Sequence, residues 1–155
     1  MQNNIKYYGL ILELKDDDTA IFTNNIFKSQ NWLLTDLDST YNYYHSNKLE
    51  YIFVEKKDIY EIIDKNKFKW AVFSGFDEKI QIHEILKSSL PYAFENDSLW
   101  LEPISIQNKL AKTEIIVWDF DIIIIISSEK AIIDDFLSAN PNSKCLKDYI
   151  KQMNM

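Results

Sequence analysis

The stretch that decides the fold is Glu114-Ile115-Ile116-Val117-Trp118-Asp119-Phe120-Asp121-Ile122-Ile123-Ile124-Ile125-Ile126. Two runs of mostly β-branched residues flank a polar turn, and such runs are typical of strands that are covered on both faces. An unpaired run such as Ile122 to Ile126 would also promote aggregation, so burial is physically favoured. We therefore predict that residues 113–127 form an antiparallel hairpin at the centre of a sheet.

Helix signals occur at four places around this hairpin, and residues 20–28 are a candidate fifth helix. Each signal is a polar residue that can cap the first turn, followed by apolar residues three or four positions apart. Pro91 and Pro141 are expected to end two of these helices, because proline cannot continue a helix. The predicted capping residues are Asp58, Asp77, Ser128 and Ser143.

Strand candidates fill most of the remaining chain. Strands and helices do not alternate regularly in the second half of the sequence, which favours an α+β fold over a doubly wound parallel sheet. With two Gly and three Pro there is no linker, so residues 1–155 are predicted to form a single domain. The expected architecture is a mostly antiparallel sheet with four to five helices packed on it. The other predicted strands are Ile5 to Leu14, Trp32 to Thr35, Glu50 to Glu55, Lys69 to Ser74 and Leu99 to Ile106.

The charged residues are unusual in kind and in balance. All 17 basic residues are lysine, and they stand against 24 Asp and Glu, for a formal net charge of −7. Arginine is the side chain best suited to forked capture of phosphates and guanine edges, and negative charge repels nucleic acid. We therefore expect no nucleic-acid partner and favour a basic protein partner. The abundance of Ile and Asn is typical of an AT-rich, bacterial genome.

Cysteine usage and hydropathy bear on the compartment. The single cysteine, Cys145, cannot form an internal disulfide, which favours a reducing environment. No apolar run follows Met1, and Ile122 to Ile126 is far shorter than the about 20 residues of a membrane helix. The sequence therefore predicts a cytoplasmic protein without a membrane partner. Cys145 itself is expected to pack as a small apolar side chain.

Motifs for catalysis and cofactors are missing from the sequence. Gly9 and Gly75 lie 66 residues apart and cannot form a phosphate cradle. His45 and His83 belong to no zinc motif, and Asp16-Asp17-Asp18 lacks the alternating ligands of a calcium loop. We expect no catalytic residues, no cofactor and no metal. The alternative that stays open is an enzyme with an acid and His83 site assembled from distant residues.

The candidate partner-binding residues are Glu95, Asp97, Trp100 and Glu102. They fall in residues 77–108, which carry six acids and two lysines, the most acidic part of the chain. An aromatic anchor among polar groups is typical of protein interfaces. A second cluster, Tyr41-Asn42-Tyr43-Tyr44-His45, is interpreted either as a contact surface or as half of an edge strand.

A resemblance rests on Lys69 to Asp77, on Leu90 to Ala93, and on the Trp118-Asp119 turn that leads into Ser127-Ser128-Glu129. These landmarks resemble those of small bacterial proteins of unknown function with the general appearance of immunity proteins, over residues 69–150. The resemblance implies a non-enzymatic protein that neutralises a basic toxin domain by binding it, and it implies no catalytic residues. A homo-oligomeric structural protein is the remaining alternative.

Overall fold

The computed structural model describes residues 5–15, 18–27, 29, 31–39, 50–65 and 68–154. Within these residues, seven strands and four α-helices form an α+β fold with an antiparallel sheet, which confirms the predicted class. The strands are β1 Tyr8–Glu13, β2 Asn31–Ser39, β3 Tyr51–Glu55, β4 Phe68–Phe76, β5 Thr113–Trp118, β6 Ile122–Ser127 and β7 Lys144–Cys145. The helices are α1 Lys56–Lys65, α2 Ile82–Ile85, α3 Lys130–Ala139 and α4 Leu146–Met153, with a 3₁₀ turn at Asp97–Trp100.

The strand order is β3-β2-β4-β5-β6-β1-β7, and every neighbouring pair is antiparallel. Strands β5 and β6 are joined by the acidic turn, with Trp118 opposite Ile122 and Thr113 opposite Ser127. On its other side β6 pairs with β1, where Ile11 faces Ile124. The isoleucine run therefore has a hydrogen-bonded neighbour on both edges, and this pairing covers the backbone of the most aggregation-prone segment.

The two faces of the sheet have separate apolar cores, because alternate side chains of a strand point to opposite sides. On the first face, Ile115 and Ile125 pack with α1, with α3 and with residues 20–27. On the second face, Ile116 and Ile124 pack with α4, with α2 and with the chain between Leu86 and Lys112. Burial on both faces explains why these strands lack a polar and apolar alternation.

Glycine is required at one position in the sheet. Gly75 lies opposite Trp32, and a Cβ atom at Gly75 would come within 2.8 Å of the Trp32 ring. The ring is fully buried, and its indole N–H donates to the Ser29 carbonyl at 3.2 Å. Any side chain at residue 75 would therefore have to displace a fixed indole.

Three predicted elements differ from the structure. Asp77 does not cap a helix: its side chain accepts from the Lys79 N–H at 3.0 Å in a turn, and the only helix that follows before Pro91 is the four residues of α2. The predicted strand Leu99 to Ile106 is wrong, because Asn96 opens the 3₁₀ turn with its side chain and Pro103 offers no N–H to a ladder. Residues 24–27 form a turn rather than a helix.

The helix starts also differ from the predicted caps. Helix α3 is preceded by Glu129, not Ser128, and the Glu129 N–H is bound by the Ser127 hydroxyl at 3.0 Å. Cys145, not Ser143, precedes α4; it is exposed, so its predicted burial is wrong. The reason is that the two-residue strand β7 lies at the sheet edge and only Leu146 turns inward. Asp58 lies inside the first turn of α1, where a negative charge still favours the helix dipole.

None of the helices in the described part of the chain has the length and apolar character needed to cross a membrane.

Candidate functional site

The four predicted partner-binding residues lie on the chain that crosses the second face of the sheet. Glu95, Asp97 and Glu102 are exposed, and Trp100 is half-buried at the end of the 3₁₀ turn. The backbone of Glu95 has a φ of 60°, which is uncommon for a residue other than glycine. The three carboxylates therefore face solvent, while the aromatic side chain between them reaches down to the sheet.

Trp100 belongs to a continuous row of aromatic rings that sequence analysis did not identify. Its ring centroid lies 5.0 Å from that of Trp118, which is in turn 5.0 Å from Trp70. Trp70 contacts Phe94 at 5.1 Å, and Trp100 contacts Tyr149 at 6.2 Å. Three of these four contacts are edge to face, the arrangement that aromatic pairs favour. We call Phe94, Trp70, Trp118, Trp100 and Tyr149 the aromatic row.

The row is assembled from four separate parts of the chain. Trp70 and Trp118 are register partners on β4 and β5, and Tyr149 is on α4. Phe94 and Trp100 come from the crossing segment. Rings on the sheet thus support rings on the segment, which fixes the segment at its acidic end.

The same segment exposes further apolar surface beside the acids. Tyr92, Phe94 and Leu101 are between 50% and 57% exposed, far more than most large apolar side chains. Residues 88–108 contain Glu95, Asp97 and Glu102 and no basic residue. Exposed apolar groups that lie together within a polar rim are typical of an interaction site. The surface formed by these residues and Trp100 is referred to below as the loop surface, and its members are Tyr92, Phe94, Glu95, Asp97, Trp100, Leu101 and Glu102.

One anchor of the loop surface is Asp36, at an irregularity in β2. Its carboxylate accepts the backbone N–H groups of Ala93 and Phe94, each at 2.8 Å. Asp36 has a φ of 52°, and the β2–β4 register shifts just after Thr35. The irregularity takes Asp36 out of the regular ladder. Its side chain can therefore hold the backbone of the segment between the two exposed residues Tyr92 and Phe94.

A second anchor is Gln107, which connects the loop surface to the sheet. Its side-chain amide donates to the Tyr92 carbonyl at 3.0 Å, and its side-chain oxygen accepts the Tyr92 N–H at 2.9 Å. The Asn96 side chain donates to the same Tyr92 carbonyl at 2.9 Å. These bonds close the segment on itself, so the loop is ordered by polar contacts as well as by packing.

The third anchor is Glu114, which is fully buried on β5. One carboxylate oxygen accepts the Gln107 backbone N–H at 3.1 Å, and the other accepts the Gln107 side-chain amide at 3.3 Å. Burial raises the pKa of the Glu114 carboxyl to about 7, and the hydrogen bonds from Gln107 and Asn108 oppose part of that rise. Burial also raises the pKa of the Tyr7 phenol, with a smaller contribution from the charge of Glu114.

Glu114 was quoted in the sequence analysis only as part of a strand. The one signal that could have identified it is its charge within an otherwise apolar run. Because the carboxyl is buried and bound by main-chain donors, its evident role is to hold the crossing segment rather than to meet a substrate.

The other residues considered from the sequence are either exposed or lie outside the described part of the chain. His83 and Glu84 are both exposed on the short helix α2. The cluster Tyr41 to His45 lies outside the described residues, as do Asp16 and Asp17. Over the described ranges, His, Cys, Asp and Glu side chains form no group of three that could hold a metal ion.

No family model, curated protein or solved structure significantly matches the chain. Any proposal for the function therefore rests on the geometry and charge of the described residues.

Proposed function

We propose that the protein is a non-enzymatic binding module that holds a basic protein partner on the loop surface. The observation that supports this most is the coincidence, within residues 88–108, of three exposed acids, several exposed apolar side chains and no lysine. This is the combination expected of an acidic immunity protein that occupies the positively charged site of a toxin. We propose the cytoplasm as the place of action, where Cys145 would stay a free thiol.

The proposed binding has two physical components. The net charge of −7 attracts a basic protein over distances of about a Debye length and speeds the encounter. Tyr92, Phe94, Leu101 and the exposed part of Trp100 then lose their water against the partner. Fully desolvated aromatic anchors typically supply most of the binding energy of an interface.

Preorganisation supports the same proposal. Asp36 and Gln107 hold the backbone of the segment by hydrogen bonds, and Glu114 joins it to the central strand. A surface that is already ordered loses less conformational entropy when it binds. These three anchors therefore favour a surface that is used for binding.

Self-association through the loop surface is less well supported. In a two-fold symmetric dimer the same patch faces itself, so Glu95, Asp97 and Glu102 of two copies would come together. Like charges brought into contact oppose association. The homo-oligomer and the enzyme with a distant acid and histidine site remain alternatives that the binding experiment distinguishes.

The test begins with capture of a partner from the source organism, followed by association kinetics with that purified partner. We expect the triple variant Glu95→Gln, Asp97→Asn, Glu102→Gln to slow association about tenfold at low salt, and the difference to shrink as salt rises. Trp100→Ala should mainly accelerate dissociation.

A matched control neutralises three exposed acids near α1 and the far end of β4: Glu55→Gln, Asp58→Asn and Glu78→Gln. This control has the same net charge as the first triple variant, so a specific surface predicts a clearly smaller effect. Equal slowing by both triple variants, or an affinity indifferent to salt and to Trp100→Ala, would contradict the proposal.

A further inference from the structure

A cavity of about 460 Å³ opens on the first face of the sheet, on the opposite side from the loop surface. It lies between the sheet, helix α1 and residues 18–22. This volume is within the range of about 300–1,000 Å³ that is typical of small-molecule sites. Its floor is formed by side chains of β4, β5 and β6, namely Phe73, Ile115, Val117 and Ile123.

Three large apolar side chains line the cavity and are also exposed to solvent. Ile21, Tyr60 and Phe120 are each at least 41% exposed, and they come from three different parts of the chain. Folding alone gives no reason to expose three such groups at one opening, whereas a bound apolar molecule would cover them.

Phe120 is also held in a costly backbone conformation. Its φ is 66°, and the preceding Asp119 has a φ of 48°. A bulky residue in this region costs about 1–3 kcal/mol, and glycine would avoid the cost. The Phe120 N–H donates to the Lys69 carbonyl at 3.0 Å, which holds the backbone of Phe120 at the lining of the cavity. Strain of this kind is found most often at binding sites.

The described charged residues of the lining are all acidic. Asp18 and Asp121 line the cavity and are exposed, and Thr19 lies beside Asp18. Among the lining residues that the structure describes, none is a lysine. Two carboxylates above an apolar floor favour a molecule that has an apolar body and a cationic end.

We propose that this cavity binds a small alkyl or aryl amine, with the apolar group against Ile115 and Ile123 and the ammonium group near Asp18 and Asp121. The site is independent of the proposed partner surface, because the two lie on opposite faces of the sheet. The cavity site and the partner surface can therefore exist independently, and each is tested by its own experiment.

The experiment titrates octylamine, octanol and octanoate, three probes of equal chain length, into the full chain with isotope-labelled isoleucine methyl groups. We expect octylamine to shift the methyl signals of Ile115 and Ile123 in a saturable manner. The signals of Ile116 and Ile124, which alternate with them on the second face, should stay in place. Octylamine should bind about tenfold more tightly than octanoate at low salt, since each partly exposed charge pair contributes up to about fivefold.

Variants separate the two parts of the site. Asp18→Asn with Asp121→Asn should reduce the preference for octylamine over octanoate to about twofold, while Glu78→Gln, on the far end of the sheet, should leave it unchanged. Phe120→Gly relieves the backbone strain, so it should fold and yet bind all three probes more weakly. Absence of saturable shifts at Ile115 and Ile123, equal binding of octylamine and octanoate, or equal shifts on both faces would overturn the proposal.

Discussion

The two faces of the sheet are covered in different ways. The first face is covered largely by the helices α1 and α3, whose apolar side chains reach the strands directly. Over much of the second face the cover is an irregular segment between Leu86 and Lys112, with only the short helix α2 and helix α4 beside it. A helix satisfies its own backbone, whereas an irregular segment must find other partners for its N–H groups.

Polar side chains of the protein supply such partners. Asp36, Gln107 and Glu114 all bind the backbone of the irregular segment on the second face. On the first face, the shorter irregular stretch of residues 18–27 is held in the same way: the buried Asn140 side chain accepts the Ile21 N–H and donates to the Ile21 carbonyl, each at 2.8 Å. The lesson is that a loop can replace a helix as the cover of a sheet when charged and amide groups beneath it replace the missing backbone hydrogen bonds. Such a loop is free to display side chains, which is where we propose the partner binds.

The largest expected effect tests whether both faces of the sheet have a buried apolar core. Ile124→Asp on the second face and Ile125→Asp on the first should each reduce the free energy of unfolding by about 4 kcal/mol or more, because each buries an unpaired carboxylate. Leu137→Asp, at an exposed site on α3, is the control and should cost under about 1 kcal/mol. Urea denaturation measures all three, and a nearly unchanged midpoint for either core variant would refute the assignment of that face.

A smaller effect, specific to the second face, comes from Glu114. Its pKa is raised in the folded protein to about 7, so its contribution to stability is present below about pH 4.5 and is lost as the pH rises through 7. Relative to Glu114→Gln, the wild-type free energy of unfolding should fall by roughly 3 kcal/mol across this range.

Urea denaturation of both proteins between pH 5 and pH 8 checks this prediction. In the Glu114→Gln variant the new side-chain amide also places a donor against the Gln107 N–H, which changes the stability at every pH. The pH dependence of the unfolding free energy therefore tests the prediction, whereas the absolute difference in stability does not. Parallel pH profiles would show that Glu114 does not titrate in this range in the folded state.

The smallest effect tests the anchoring of the segment itself. Asp36→Asn replaces the carboxylate that accepts the Ala93 and Phe94 N–H groups with a neutral amide. We expect the free energy of unfolding to fall by about 1 kcal/mol, because these hydrogen bonds lose their charged acceptor. Amide hydrogen exchange at Ala93 and Phe94 should accelerate, while exchange at Ile115, in the central strand, should not. If the two regions respond alike, Asp36 supports the whole sheet rather than the loop surface.

The sheet was predictable because its signals are local. The β-branched runs around Trp118 and Ile124, and the apolar stripe of Ile132, Ile133 and Phe136, mark their elements without information from elsewhere in the chain. The strand predicted for Leu99 to Ile106 is wrong because apolar composition does not specify a strand where Asn96 and Pro103 set the backbone.

The site was only half predictable. Composition alone predicts Glu95, Asp97, Trp100 and Glu102 as partner-binding residues, and that role stays a prediction; the structure shows the three acids exposed and Trp100 half-buried. The anchors of the loop surface depend on contacts between distant residues: Asp36 meets Ala93 across 57 positions of sequence. Likewise Trp100 meets Trp118 and Tyr149 only after the sheet has formed. No spacing rule for a single element encodes such contacts.

The position of β6 between β1 and β5 also has a consequence for how the chain is made. Ile11 of β1 pairs with Ile124 of β6, so β1 is synthesised more than a hundred residues before this partner strand. Strand β5, the other partner of β6, is synthesised immediately before β6. Both partner edges therefore already exist when the isoleucine run leaves the ribosome. The strand with the greatest tendency to join another chain is the last of the central strands to appear, and it can be taken up between two strands of its own chain at once.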